Sequence, residues 1–76
     1  MSSHAGLKID LKGIGGRIRN LRGNVRQQDL AMELGLSQGQ LSKIERGQIA
    51  PTLETVFSLA IRFDKTLDWI VRGKSK

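Results

Sequence analysis

The sequence predicts an all-α domain of five short helices. Three observations carry this prediction. Apolar residues recur at three- and four-residue spacing from Ile14 to Val71, and no stretch alternates as a half-buried strand would. Capping residues and glycine stops also punctuate the chain at regular intervals. At 76 residues the chain holds one domain. A chain of this size buries only about 60% of its unfolded surface. It has no cysteine, which excludes disulfides and thiolate metal sites, so well-packed helices must supply the stability, with dimerisation as added support.

Residues 1–12 have no sustained period and are expected to form a flexible arm, followed by a domain over 13–73 and a basic tail over 74–76. The first helix is expected over 14–22, with Ile14, Ile18, Leu21 and Val25 at helical spacing and Gly23-Asn24 as its stop. The second runs from Gln27 to Leu34, with Leu30, Ala31 and Leu34 inward, and Gly35 follows in the left-handed conformation glycine tolerates. Leu36 turns inward. Ser37 and Gln40 form a Ser-x-x-Gln capping box that opens the third helix, where Leu41 and Ile44 face the core before Gly47. Beyond Pro51, Thr52 caps a fourth helix whose buried stripe is expected to comprise Leu53, Val56, Leu59, Ala60 and Phe63. Thr66 caps the fifth, through Leu67, Ile70 and Val71, with Asp68 near its positive end and Gly73 beyond it.

The charge narrows the partners. Thirteen Lys and Arg against seven Asp and Glu leave +6, a balance that points to polyanions, nucleic acid before anionic membrane. Residues 1–26 carry +5, residues 27–46 carry −1 and residues 47–76 carry +2. A basic surface also serves solubility alone, so charge by itself divides the two readings evenly. No apolar run is long enough to span a bilayer and no secretory leader is visible, so a cytoplasmic protein is expected.

The middle of the chain is more specific. Two short helices joined by Gly35-Leu36-Ser37 make a helix-turn-helix, and small Ala31 lets the second helix cross the first closely. Leu36, Leu41 and Ile44 hold the second helix to the core, leaving Gln38, Gly39, Gln40, Ser42 and Lys43 on its free face. Amide and ammonium groups suit base edges in the major groove: Gln binds adenine bidentately and Lys reaches guanine.

On these residues the chain resembles the phage-repressor and Cro-type (XRE) helix-turn-helix family. The match runs through Gln27-x-Asp29-Leu30-Ala31, Leu34-Gly35-Leu36-Ser37-Gln38, Leu41-Ser42-x-Ile44-Glu45-Arg46-Gly47, Pro51-Thr52-Leu53 and Thr66-Leu67-Asp68-Trp69-Ile70. It covers residues 13–73 and implies a lambda-repressor-like DNA-binding domain. The resemblance implies base reading by Gln38, Gly39, Gln40 and Lys43. It implies phosphate contacts from Gln27, Ser37, Ser42, Arg46 and Gln48, and a buried salt bridge between Arg22 and Glu45.

Two departures from the family pattern stand out. The link between the first two helices is shorter, so Arg26 occupies the capping slot and gains weight as a phosphate contact. Asn24 is the alternative cap, with Gln27 at its third position. The second departure is Gly39, where family members often carry a base-reading side chain; a glycine leaves one base unread or admits a thymine methyl group.

Other features have plainer readings. The Gly13-Ile14-Gly15-Gly16 stretch lacks the strand and the Lys-Ser/Thr of a phosphate loop and is expected to be a flexible helix start. His4 has no companion ligands, so no metal is expected, nor any cofactor or small-molecule ligand; Met32 is packing or surface. Trp69 is expected to close the core, yet Phe57 and Ile61 exceed what the buried stripe uses. Ile61 and Trp69 are therefore expected to contribute to a homodimer interface. The expected function is a transcriptional repressor reading a palindromic operator on double-stranded DNA as a homodimer. The alternative is an antitoxin-type module that binds a partner protein and secondarily DNA. One His, no Cys and no Tyr leave no acid–base pair for an enzyme.

Overall fold

Asp10, not the glycine-rich stretch, starts the first helix. In the computed structural model, which describes residues 8–74, α1 spans Leu11–Arg22. The Asp10 carboxylate accepts from the Gly13 amide at 3.0 Å, a cap that starts the helix three residues before Ile14. Leu11 and Lys12, expected in the arm, are thus helical. Residues 1–7, with His4, and residues 75–76 of the expected tail lie outside the described residues.

The remaining helices are α2 (Gln27–Leu34), α3 (Gln38–Glu45), α4 (Leu53–Phe63) and α5 (Leu67–Arg72), and no strand occurs among the described residues. Thr52 and Thr66 cap α4 and α5, each hydroxyl accepting an amide three residues on, at 3.1 and 2.9 Å. Every helix contributes one side chain with no accessible surface: Ile18, Leu30, Leu41, Leu59 and Ile70. Burial of each such group stabilises the fold by about 1.5–3 kcal/mol. Ala31, Ile14, Ile44, Val56 and Ala60 complete the core, and Leu21, Val25, Leu34, Leu36, Phe63 and Trp69 pack around it.

Helix α1 is the hub, touching α3 on one side and α5 on another, while α4 bridges α2 and α5. Its contact with α3 depends on a glycine. Gly15 is buried, and a Cβ there would collide with the backbone oxygen of Ile44 and sit 2.5 Å from that of Glu45. The expected flexible start is therefore a close crossing of α1 over α3. Gly47, at φ 75°, closes the same seam from the other side, where a Cβ would meet the Lys12 backbone at 2.8 Å.

The contact with α5 depends on Arg17. Its Nε donates to the Ile70 carbonyl at 2.8 Å and its Nη2 to that of Val71 at 3.0 Å. These are carbonyls of the last turn, which have no partner within the helix, and the cation faces the negative end of its dipole.

One further expectation changes. Leu53 lies outside the buried stripe, 76% exposed, because Thr55 fills that side of α4 instead. Val25 follows the stop at Gly23-Asn24, its amide donating to the Arg22 carbonyl at 2.9 Å in the turn that leads to α2.

Candidate nucleic-acid interface

The turn between α2 and α3 sets the pose of α3. Gly35 takes φ 72°, its amide donates to the Met32 carbonyl at 3.1 Å, and the Leu36 amide donates to that of Ala31 at 2.9 Å. This is a glycine-terminated helix end that satisfies orphan carbonyls and swings Leu36 against the core. The capping box at the start of α3 is reciprocal, as expected. The Gln40 amide donates to Ser37 Oγ at 3.0 Å and the Ser37 amide donates to Gln40 Oε1 at 2.8 Å. The side-chain carbonyl of Gln40 is thereby held by the cap, which removes half of the amide pair expected to read a base.

Leu41, Ile44 and Glu45 face inward from α3. Gln38, Gly39 and Lys43 are exposed and Ser42 is half-buried. Around Gly39 there is open space, the nearest atom to an added Cβ being Ser37 Oγ at 3.9 Å. No packing demand explains this glycine.

Beneath the exposed face lies a chain of hydrogen bonds through three helices. Arg22 grips Glu45 with two bonds, Nε to Oε2 at 2.7 Å and Nη2 to Oε1 at 3.0 Å, and its Nη1 donates to the Val25 carbonyl at 2.9 Å. Only 16% of the arginine side chain and 3% of the glutamate side chain are accessible. The expected buried salt bridge is formed. The hydrogen bond to Glu45 raises the Arg22 pKa against the opposing effect of burial, aided by the glutamate's charge. A raised basic pKa keeps its contribution at every pH below the arginine range and loses it only above that range.

Gln27 extends the chain. Its Nε2 donates to Glu45 Oε1 at 3.0 Å, and its Oε1 accepts from Gln38 Nε2 at 3.3 Å. An ionised carboxylate only accepts, so Gln27 must turn its amino group inward and its carbonyl outward. That in turn engages the amino group of Gln38 and leaves the Gln38 carbonyl oxygen open. The orientation of an exposed amide is thus set from the core.

A polar groove of about 320 Å³ runs beside this network, lined by Arg19, Arg22, Gln27, Ser42, Glu45 and Arg46. Arg19 is missing from the residues expected to contact DNA, and its signal is its register: three residues before Arg22, it shares the flank of α1 that meets α3. Arg17, on the same helix, is committed to α5. Arg46 is exposed, its Nε 3.4 Å from the Ser42 carbonyl, and exposed Gln48 follows in the turn.

Arg26 precedes α2 with no side-chain cap, so Asn24 does not take the capping role expected as the alternative. Arg26 instead stands 3.5 Å from Asp29 in an exposed pair. The two residues expected at a dimer interface are placed differently. Ile61 is exposed on α4, whereas Trp69 is half-buried against the core with Lys65 Nζ 4.8 Å from its ring centre. Met32 lies on the surface of α2.

Among the described residues no group of His, Asp and Glu could hold a metal ion, and no helix is long and apolar enough to cross a membrane. The Helix-turn-helix family model matches residues 17–70. No curated protein matches the sequence. Solved structures do. The P22 c2 repressor in complex with a synthetic operator superposes with a TM-score of 0.73 at 28% identity, covering 80% of this chain and 96% of that one. The restriction-modification controller protein C.AhdI from Aeromonas hydrophila gives a TM-score of 0.70 at 32% identity, with the same two coverages, 80% and 96%. The solution structure of the P22 c2 repressor DNA-binding domain gives 0.73 at 26% identity, covering 90% of this chain and 92% of that one.

Proposed function

The chain belongs to the helix-turn-helix family of DNA-binding transcription regulators, and from that premise we propose that it is a cytoplasmic repressor, binding a palindromic operator as a homodimer. The relatives are regulators and not enzymes. What supports the reading is the pose of α3, capped at Ser37, pinned by Leu41 and Ile44, and presenting Gln38, Gly39 and Lys43 beside a groove that carries Arg19 and Arg46. Base reading falls to Gln38 and Lys43, with Gly39 allowing close approach. The open carbonyl of Gln38 and the remaining hydrogen of its amino group match the donor and acceptor of an adenine edge, and Lys43 suits the two acceptors of guanine. Arg19, Arg26, Gln27, Ser37, Ser42, Arg46 and Gln48 hold phosphates around it, with the helix N-termini assisting.

Selection of bound fragments from a random DNA pool tests this directly. A site with dyad symmetry and half-site centres about 34 Å apart is the expected product. No enrichment, or one asymmetric half-site, would overturn the operator model.

Gln38→Ala or Lys43→Ala is expected to weaken specific binding by about 1–3 kcal/mol and relax preference at one or two base pairs. Gel-shift titration on the selected site and its point variants measures both effects. Gly39→Ala separates fold from function. An exposed helical glycine costs about 1 kcal/mol relative to alanine, so this variant is expected to melt higher while its preferred sequence changes. A higher melting temperature with an unchanged selected site would remove Gly39 from the interface.

A further inference from the structure

The outer surface of α4 carries two parallel ridges that match their own reversed image. Leu53, Phe57 and Ile61 recur every four residues and are 76%, 57% and 69% exposed. Glu54, Ser58 and Arg62, also exposed, form the adjoining ridge on one flank. The buried stripe of Val56, Leu59 and Ala60 occupies the opposite side, so the three apolar side chains of the first ridge are left uncovered by the monomer.

We propose that this surface pairs antiparallel with the same surface of a second copy, about a twofold axis at Phe57 and Ser58. This rests on the homodimer in the functional reading and supplies its interface. Reversing the helix about residues 57 and 58 brings Leu53 over Ile61 of the other copy and Glu54 towards its Arg62. Both apolar ends and both charges are then matched twice, as an isologous contact requires. Small Ser58 lies where the helices cross, and residues spaced by four form the ridges that interdigitate in helix pairs. Beside the ridges, a groove of about 380 Å³ between α2 and α4 gives the incoming aromatic ring room. Arg62 is already positioned for a second carboxylate. It bonds Glu33 through Nε at 2.8 Å, which leaves its terminal nitrogens to reach outward. A partner of a different kind would meet a ridge acidic at one end and basic at the other, with no reason for that balance about its centre.

The test uses two variants and their mixture, in sedimentation without DNA. Glu54→Arg places like positive charges opposite each other twice, and Arg62→Glu does the same with negative charges. Each variant alone is expected to dimerise at least about tenfold more weakly than the native chain. Their equimolar mixture restores both opposite-charge contacts and is expected to dimerise like the native chain. Both positions are exposed, and helical circular dichroism checks that each variant folds; Phe57→Asp should abolish dimers by itself. Native chain that remains monomeric at about 100 μM, dimers indifferent to all three changes, or single variants whose mixture gains nothing would each overturn the proposal. Because no DNA is present, this outcome is separate from that of operator selection. A dimer without an operator and an operator site without this dimer are distinct results.

Discussion

Gly15→Ala is expected to remove a large share of the domain's folding stability. The added methyl would have to occupy the space of two backbone carbonyls, those of Ile44 and Glu45. Neither oxygen can rotate away as a side chain does, so α1 must lift from α3. Overpacking of this kind costs about 3 kcal/mol or more, against a total of about 4–11 kcal/mol for a domain of this size. Urea unfolding followed by circular dichroism would measure the shift in midpoint. Gly16→Ala supplies the control. Nothing lies within 4 Å of a Cβ there, and the position is exposed. One residue further on, the same substitution is therefore expected to stabilise the helix by about 0.5–1 kcal/mol. Equal effects at the two positions would refute the close α1–α3 crossing.

The second large effect belongs to the buried ion pair. Arg22→Ala strands a glutamate whose side chain is only 3% accessible, and it removes three hydrogen bonds at once. Breaking a buried pair by removing one partner costs about 3–5 kcal/mol. Replacing both partners with apolar residues, as in Arg22→Met with Glu45→Leu, is expected to recover much of that stability, because no charge is then left buried. The rescued protein would still bind DNA poorly. Without the carboxylate, Gln27 is no longer held in one amide orientation, and Gln38 loses the partner that turns its carbonyl outward. Stability and operator affinity should therefore separate in the double variant. If both returned together, the hydrogen-bond chain would have no part in recognition.

Most of the fold was legible because its devices are local. The Ser37–Gln40 box, Gly35 after Leu34, and the threonines at 52 and 66 are each readable within four residues. The Arg22–Glu45 pair came from the family resemblance and formed as expected. What escaped was long-range or atomic. Asp10 caps α1 from within a stretch that has no hydrophobic period, so nothing in the pattern marked it. Gly15 could not be told from a flexible glycine, because the atoms it must clear lie on a helix about thirty residues away. Leu53 fits the buried stripe by spacing, yet Thr55 occupies the inward side, satisfied by Thr52 at 3.1 Å between hydroxyls. Gln40 was counted among the readers and the cap at once, and a single side-chain carbonyl cannot serve both. The pairing of Gln27 with Gln38 required coordinates, since neither spacing nor composition reveals how an amide is turned.

The grip of Arg17 on the carbonyls of Ile70 and Val71 gives the molecule an order of assembly. It joins residues more than fifty positions apart, and closing so long a loop carries an entropic cost that grows with the logarithm of its length. The contacts of α2 with α3 are near neighbours and can form while synthesis continues. The clasp between α1 and α5 cannot. A nascent chain on the ribosome therefore has every residue of its helix-turn-helix unit available before it can complete the domain, and Ile70 comes last in chain order among the fully buried side chains. Until Val71 has emerged, the motif lacks the clasp that would steady it.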